Sequence, residues 1–226
     1  MSTESESTPC TWLDDAICVD CNLGDELNCR HDEKSVGCFL RRHLTFRIIA
    51  FLVVGASSWL TSQWILLLIY AVVTLLNFTV IESWYLCRHC PFYAKEGRTL
   101  TCITLQGMPR IWSYDPRPIT RGEQIAMSVV GGFIDLFPLL AGAYAIWVLY
   151  STGAEMLLLG MLGLTVIMLG ASVYFGKYLA DEYCIRCVNF SCVMNKVPKH
   201  LAGEYLRRNP LMRKAWEDWG YALGED

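Results

Sequence analysis

The chain has 226 residues, of which 54% are hydrophobic and only 18% are charged, and its mean hydropathy is +0.31. Soluble globular chains carry about 25% charged residues. The composition therefore excludes an ordinary soluble domain and a disordered chain, and it indicates a membrane protein. The net charge of −3 provides no excess of positive charge for binding nucleic acid. Eleven cysteines are the unusual feature of the composition.

Two long apolar stretches predict the membrane-spanning segments. No charged residue lies at positions 48–81, and positions 124–176 contain only two. Each stretch exceeds the roughly 20 apolar residues that cross a bilayer once, and each is too short for three crossings. We therefore predict an all-α polytopic membrane protein with four transmembrane helices arranged as two hairpins, at 44–86 and 124–180. The hairpin turns are predicted at Leu60–Gln63 and Ser151–Glu155.

The positions of the basic residues predict the orientation of these helices. All 19 Lys and Arg residues lie before or at the start of the first helix, in the connection between the hairpins, or after the fourth helix. Cytoplasmic loops carry the excess of Lys and Arg in membrane proteins, so both termini and the connection are predicted to be cytoplasmic. The cytoplasmic segments are then an N-terminal arm at 1–43, a connection at 87–123, and a C-terminal arm with short helices at 181–226.

Every cysteine falls in one of these three cytoplasmic segments. Each segment contains two cysteines separated by two residues and at least one further cysteine. A Cys-x-x-Cys pair places two thiolates on one turn, where they can share a metal whose other ligands come from elsewhere. The cytosol keeps thiols reduced, which argues against structural disulfides. We therefore predict a metal-binding cytoplasmic cap with these ligands: Cys18, Cys21, Cys29, Cys38, Cys87, Cys90, Cys102, Cys184, Cys187 and Cys192.

Two kinds of metal centre fit this pattern. A structural zinc site needs four ligands and no open position. Two such sites can be assembled, one from Cys87, Cys90, Cys184 and Cys187 across the bundle and one from Cys18, Cys21, Cys29 and Cys38. Alternatively, three cysteines of each segment would hold an iron-sulfur cluster that is completed from elsewhere. Ten or eleven cysteines exceed what stapling a small cap requires, so iron-sulfur is favoured and zinc is the alternative.

The four histidines are weaker candidates for metal ligands. His31, His43, His89 and His200 all lie outside the predicted helix cores, which argues against haem held within the bilayer. His89 lies within a Cys-x-x-Cys turn, and His200 is spaced so that it would complete a site of three cysteines and one histidine. For each of them a solvated loop position is the favoured interpretation.

Asp135 is the charge that the hydropathy pattern places deep in the membrane. Such a charge costs at least about 2.5–3.5 kcal/mol on insertion scales, so it usually faces the bundle interior and has a partner or a task. Proton uptake and binding of a quinone head group are the functional interpretations. A hydrogen bond to Thr74 or Asn77 that joins two helices is the favoured structural one. Gly131 and Gly132 are expected to allow close packing of the same helix.

The predicted function is that of a membrane-anchored metal-thiolate protein. In this hypothesis an iron-sulfur electron-transfer subunit of a membrane-bound oxidoreductase links a cytoplasmic redox partner to the membrane or the quinone pool. The alternative is a zinc-stapled structural or assembly subunit of a membrane complex with no redox chemistry. Four-helix membrane oxidoreductases that make disulfides resemble this chain in helix number and in their Cys-x-x-Cys motifs. Their working cysteines face the oxidising side, however, where this chain has none.

Overall fold

The fold is described from a computed structural model, which describes residues 8–13, 18 and 21–221. Within these residues the structure is helical, and the single β-bridge joins Thr99 to Pro109. Four helical segments are long and apolar enough to cross a membrane: Glu33–Thr61, Trp64–His89, Arg121–Thr152 and Glu155–Tyr183. The prediction of an all-α chain with four candidate membrane spans is confirmed.

The helices are numbered in chain order. They are α1 Glu33–Thr61, α2 Trp64–Leu76, α3 Glu82–Tyr85, α4 Arg121–Thr152, α5 Glu155–Tyr178, α6 Lys199–Arg207 and α7 Pro210–Asp218. The second and fourth spans each contain a wider π-helical turn, at Asn77–Ile81 between α2 and α3 and at Leu179–Tyr183 after α5. Both π turns lie shortly before a Cys-x-x-Cys pair.

The first helix begins about three turns earlier than predicted. The prediction placed its start near Leu44, whereas α1 begins at Glu33. The side chain of Asp32 caps it and accepts a hydrogen bond of 2.8 Å from the backbone N–H of Ser35. The polar residues of these first turns carry no apolar signal, which is why hydropathy missed them. His43 consequently lies inside a helix, contrary to the prediction.

One short turn joins α1 to α2, and another joins α4 to α5. Ser62 follows α1 in the left-handed conformation with φ of 58°, and Gly153 follows α4 with φ of 71°. In both cases the next helix begins two residues later. Both left-handed residues therefore lie inside the turn regions that the sequence predicts.

The bundle core is narrow and its outer surface is apolar. α1 packs on α4 and α5, and Phe46 of α1 stacks on Phe175 of α5 with ring centroids 4.9 Å apart. Ala50 lies fully buried beside them. Leucines on the outward faces are more than half exposed, among them Leu52, Leu68, Leu140 and Leu157. This distribution is compatible with lipid around the helices.

Close packing between α4 and α5 occurs at Gly142. A Cβ atom at this position would lie 2.5 Å from Oγ1 of Thr165, whereas no atom lies within 4 Å of a Cβ placed at Gly131 or Gly132. The expectation that the paired glycines provide the close contact is therefore wrong. Periodicity cannot tell which glycine faces a neighbour once a helix is apolar on every side.

We expect Gly142→Ala to destabilise the folded protein by about 1–3 kcal/mol, because the new Cβ overlaps Thr165. Thr165 is itself held by a hydrogen bond of 2.8 Å that its hydroxyl donates to the carbonyl of Met161. Unfolding in detergent, followed by tryptophan fluorescence, measures the loss. Gly132→Ala is the matched control in the same helix and should be neutral or slightly stabilising. Equal losses in both variants would contradict the packing described here.

The N-terminal arm, the connection and the C-terminal arm meet at one end of the bundle, called here the arm end. This is the end where α1 begins and α5 finishes, as shown by the contact of Phe39 with Tyr183 at 4.8 Å. Three hydrogen bonds join the segments pairwise: Asn28 N to the Arg186 carbonyl at 2.8 Å, Trp12 Nε1 to the Pro91 carbonyl at 3.0 Å, and Ile119 N to Oγ of Ser191 at 3.0 Å.

Candidate metal centre

Six cysteines line one cavity of about 180 Å³ at the arm end of the bundle. The connection contributes Cys87, Cys90 and Cys102, and the C-terminal arm contributes Cys184, Cys187 and Cys192. The rest of the lining is mostly apolar and includes Leu86, Ile103 and Val188, with the carboxyl of Glu82 at one side. The structure thus brings the two predicted Cys-x-x-Cys pairs to one place, together with one further thiol from each segment. This space is called the six-cysteine cavity below.

Burial keeps these thiols protonated in the free protein. It raises the pKa of Cys187 to about 12 and that of Cys90 well above the ordinary value, because the thiolate form is poorly solvated in the cavity. Burial likewise raises the pKa of Cys102, Cys184 and Cys192. Metal coordination requires thiolates, so any metal that binds here must displace protons.

The cavity is too wide for one ion to bridge it. A cavity needs a volume of roughly 10–15 Å³ to hold one water molecule. The volume of the six-cysteine cavity is about 180 Å³. Among the described residues, no three His, Cys, Asp or Glu side chains converge closely enough to hold one metal ion. Tetrahedral zinc needs four ligands closed around one ion. The described residues therefore do not form a closed site of four ligands.

Charged side chains fix the Cys-x-x-Cys turn of the connection to the start of α4. Arg117 reaches Glu123 at 2.7 Å and Asp115 at 3.0 Å. Arg88, within the turn, lies 3.4 Å from Glu123 and 3.6 Å from Asp115. Glu123 also accepts a hydrogen bond of 2.8 Å from the backbone N–H of Thr120, which completes the capping box of α4. The turn is therefore tied to a helix end by a mostly buried ionic network.

His89 belongs to the same network. It is only 2% exposed, its Nδ1 lies 3.1 Å from the backbone carbonyl of Asp115, and its Nε2 lies 3.6 Å from Glu123. The prediction of a solvated loop histidine is wrong here, because the connection folds back over the turn and covers the ring. His200 is exposed at the start of α6 and does not line the six-cysteine cavity.

Side-chain amides fix the C-terminal arm. Asn195 Nδ2 donates to the carbonyls of Cys187 at 2.7 Å and of Asn189 at 3.0 Å. The hydroxyl of Ser191 accepts a hydrogen bond of 3.0 Å from the backbone N–H of Ile119. Sequence reasoning missed these residues, although three amide or hydroxyl side chains within eight positions after a cysteine pair are a usable signal for a structured loop.

A second set of thiols lies in the N-terminal arm and consists of Cys10, Cys18, Cys21 and Cys29, called here the N-terminal thiol group. The pKa of Cys29 is raised to about 12, first by burial and then by the proximity of the other three thiols. Cys10 is thus part of the group, although the predicted ligand set left it out. Its separation of eight residues from Cys18 gives no motif, and only the folded arm shows the proximity.

Nitrogen donors point at sulfur in both sets. Arg30 donates to Sγ of Cys18 from Nε at 3.3 Å and from Nη2 at 3.0 Å. Asn209 Nδ2 donates to Sγ of Cys10 at 3.3 Å. In the six-cysteine cavity the backbone N–H of Leu105 donates to Sγ of Cys102 at 3.1 Å. Hydrogen bonds of this kind stabilise negative charge on sulfur and tune metal-thiolate centres.

The structure does not bring Cys38 to the other predicted ligands of the N-terminal arm. It lies on α1 and lines a separate groove with Tyr178 and Tyr183. Because α1 begins at Glu33, Cys38 lies on a rigid helix that packs on α5, and Cys10 takes its place beside Cys29. The expected zinc set of Cys18, Cys21, Cys29 and Cys38 is therefore not assembled.

Asp135 pairs with a residue that the sequence placed in the cytoplasm. Its Oδ1 lies 3.1 Å from Nη1 of Arg47, which belongs to α1. The ion pair replaces the expected hydrogen bond to Thr74 or Asn77. Counting Arg47 with the cytoplasmic basic residues was wrong because the early start of α1 carries it into the span.

We expect Glu123→Ala to destabilise the protein by about 3 kcal/mol, because Arg88 and Arg117 each lose one of two carboxylate partners and share Asp115 alone. Thermal unfolding in detergent measures the effect. The control is Glu217→Ala, which removes the partner of Arg213 on α7, where both side chains are about half exposed. That exposed pair should contribute less than about 0.5 kcal/mol. Similar losses in the two variants would show that the network does not hold the turn.

No protein-family profile, curated protein or solved structure matches the chain. The roles of its residues therefore follow from its own geometry. The six-cysteine cavity and the N-terminal thiol group, joined by the hydrogen bond from Trp12 to Pro91, are its candidate functional site.

Proposed function

We propose that this protein is a membrane-anchored iron-sulfur electron-transfer subunit that links a cytoplasmic redox partner to the membrane or the quinone pool. The six-cysteine cavity carries the proposal. Six thiols from two segments line one apolar space that is larger than a single ion needs. Iron-sulfur clusters are held by cysteine thiolates, and their reduction potentials depend on burial and on hydrogen bonds to sulfur. Both features surround these thiols.

The N-terminal thiol group would hold the second centre of this electron path. Cys10 and Trp12 are two residues apart, and the indole Nε1 of Trp12 donates to the carbonyl of Pro91 at 3.0 Å. Pro91 directly follows Cys90 in the chain. One hydrogen bond and a few covalent bonds therefore connect the two sets of thiols, which supports electron transfer between them.

The proposed topology puts the thiols within reach of a soluble partner. Four spans arranged as two hairpins would place both termini and the connection on the cytoplasmic side. The distribution of the 18 Lys and Arg residues other than Arg47 supports this orientation. The six-cysteine cavity lies where the spans Trp64–His89 and Glu155–Tyr183 end. A centre at that boundary would be close to the cytosol and to lipid-soluble electron carriers alike.

The alternative function is that of a zinc-stapled structural or assembly subunit. One observation favours it locally: the N-terminal thiol group has four cysteines, the ligand number of a structural zinc site. A zinc staple there would tie the N-terminal arm to α6 and α7 through Cys10 and Asn209. It would leave the larger six-cysteine cavity without an explanation.

Metal content of protein purified in detergent without oxygen separates these functions. We expect iron together with acid-labile sulfide, and a broad visible absorbance that dithionite bleaches. Cys90→Ser and Cys187→Ser should each lose the iron of the six-cysteine cavity, because both thiols line it. Cys38→Ser is the matched control and should retain all the iron, because its thiol lines a different groove.

Two results of the metal measurement would overturn the proposal. Colourless protein with stoichiometric zinc would make the chain a scaffold. Full iron content in Cys187→Ser, or an equal loss in Cys38→Ser, would show that the six-cysteine cavity is not the metal site.

Metal affinity should rise with pH. The thiols of Cys187 and Cys29, each with a pKa of about 12, are protonated between pH 6 and pH 8. A metal must displace these protons, and each displaced proton raises the apparent affinity about tenfold per pH unit. Competition of the metal-free protein with a chelator for Cd²⁺ measures this, after correction for the chelator's own titration. An affinity that does not change with pH would mean that the buried thiols are not ligands.

A further inference from the structure

A stripe of polar side chains runs along the second membrane span. Tyr70, Thr74 and Asn77 lie at positions i, i+4 and i+7 of α2 and the following π turn, so they share one face of the helix. They are 0%, 7% and 4% exposed, respectively. The face points into the bundle, where ring contacts place Tyr70 beside Phe51 of α1 and Phe137 of α4.

Each of these side chains has a polar atom without a partner. The hydroxyls of Tyr70 and Thr74 and the amide oxygen of Asn77 make no hydrogen bond to any described residue. The Tyr70 hydroxyl lies close to Arg47, Asp135 and Thr74, although none of these contacts has the geometry of a full hydrogen bond. Inside a bilayer, an unpaired polar group finds no bulk water to replace a lost partner. Three such atoms on one face indicate that a polar ligand lies along the stripe.

The stripe has a polar group at each end. Toward the middle of the membrane lies the Arg47–Asp135 pair, with the carboxyl side chain 52% exposed. Toward the arm end, Asn77 Nδ2 donates to Oε2 of Glu82 at 3.3 Å. Glu82 also lines the six-cysteine cavity. The stripe therefore connects the charged pair inside the membrane to that cavity.

The spacing of the stripe suits single water molecules. The helical rise separates Tyr70 from Thr74 and Thr74 from Asn77 by about 4.5–6 Å along the axis. Two hydrogen bonds in series through one water span about 5.6 Å. Each of these two gaps therefore suits one molecule that both donates and accepts, whereas Asn77 reaches Glu82 directly. A quinone carbonyl only accepts, so it would leave the amide oxygen of Asn77 unpaired.

We propose that the stripe Tyr70–Thr74–Asn77 binds a chain of water molecules that joins the Arg47–Asp135 pair to the six-cysteine cavity. The chain needs no metal in the cavity and stands apart from the electron-transfer function. An unbroken chain also relays protons, because each water accepts one from its neighbour on one side and donates one on the other. Asp135 would thereby exchange protons with the cavity across the inner half of the span.

Radical footprinting in H₂¹⁸O tests the proposal on the full-length protein in lipid nanodiscs. X-ray pulses activate bound water in place, and mass spectrometry locates the ¹⁸O that is added to nearby side chains. We expect Tyr70 to be labelled although it is fully buried. Tyr205 is the internal control, because it is equally buried and its hydroxyl shares a hydrogen bond of 2.8 Å with Thr11. Equal labelling of the two tyrosines would overturn the proposal.

Variants test whether the chain is continuous. Asn77→Leu removes the polar group two turns away from Tyr70, and we expect the labelling of Tyr70 to fall at least threefold. Thr74→Val, a smaller change, should have the same effect. Thr79→Val is the matched control in the same span, because its hydroxyl bonds to the carbonyl of Leu75 at 2.7 Å. Unchanged labelling in Asn77→Leu and Thr74→Val, with Tyr205 still unlabelled as proof of folding, would exclude a continuous chain.

Discussion

The two short turns at Ser62 and Gly153 are the constraint on which the arrangement of the cysteines depends. At each turn the next span begins two residues later, and α2 packs on α1 as α5 packs on α4. The polar segments before, between and after the spans are joined by hydrogen bonds at one end of the bundle. The connection has a small apolar cluster of its own around Tyr93, Leu100 and Leu105, and most of the other buried apolar residues in these segments belong to the core of the bundle. The segments bury these side chains against one another and against the helix ends, and their thiols are buried with them.

Burial of so many thiols has a chemical consequence. A buried thiol is a weak acid, as the pKa of Cys187 shows, and it behaves as a small apolar side chain until a metal takes its proton. The same pocket that stabilises the metal-free fold would therefore oppose metal loading at low pH. Hydrogen-bond donors such as Arg30 and the backbone N–H of Leu105 offset this by stabilising charge on sulfur. Their presence is difficult to explain for cysteines that only fill space.

Hydropathy predicted the parts of the fold that depend on apolar length. The four spans and their turns follow from long uncharged runs, and α6 and α7 lie in the C-terminal arm, where short helices are predicted. The start of α1 did not follow, because Asp32 and the polar turns after it leave the apolar pattern unchanged. That one error displaced Arg47, His43 and Cys38 together.

The sequence predicted that cysteines from different segments converge, but it predicted only part of the membership of each set. The Cys-x-x-Cys pairs indicate that thiols converge, and the structure brings two of the pairs to one cavity. Which further cysteine joins each set depends on the path of the loops. The inclusion of Cys10 depends on Asn209, which lies 199 positions away and bonds to its backbone N–H and its sulfur. Short-range spacing holds no information about such a contact.

The Arg47–Asp135 pair connects the membrane part of the protein with the thiol part. Two charges inside the bundle lose hydration free energy, and their mutual attraction does not fully compensate for this loss. The side chain of Asp135 is 52% exposed, so packing does not enclose its carboxyl group. A packed apolar pair would join the same helices with less desolvation. The charges are best explained if the neighbouring polar stripe keeps them hydrated. In that case hydration reaches the middle of the bundle from Glu82 and the six-cysteine cavity, and the membrane interior and the thiols share one polar environment.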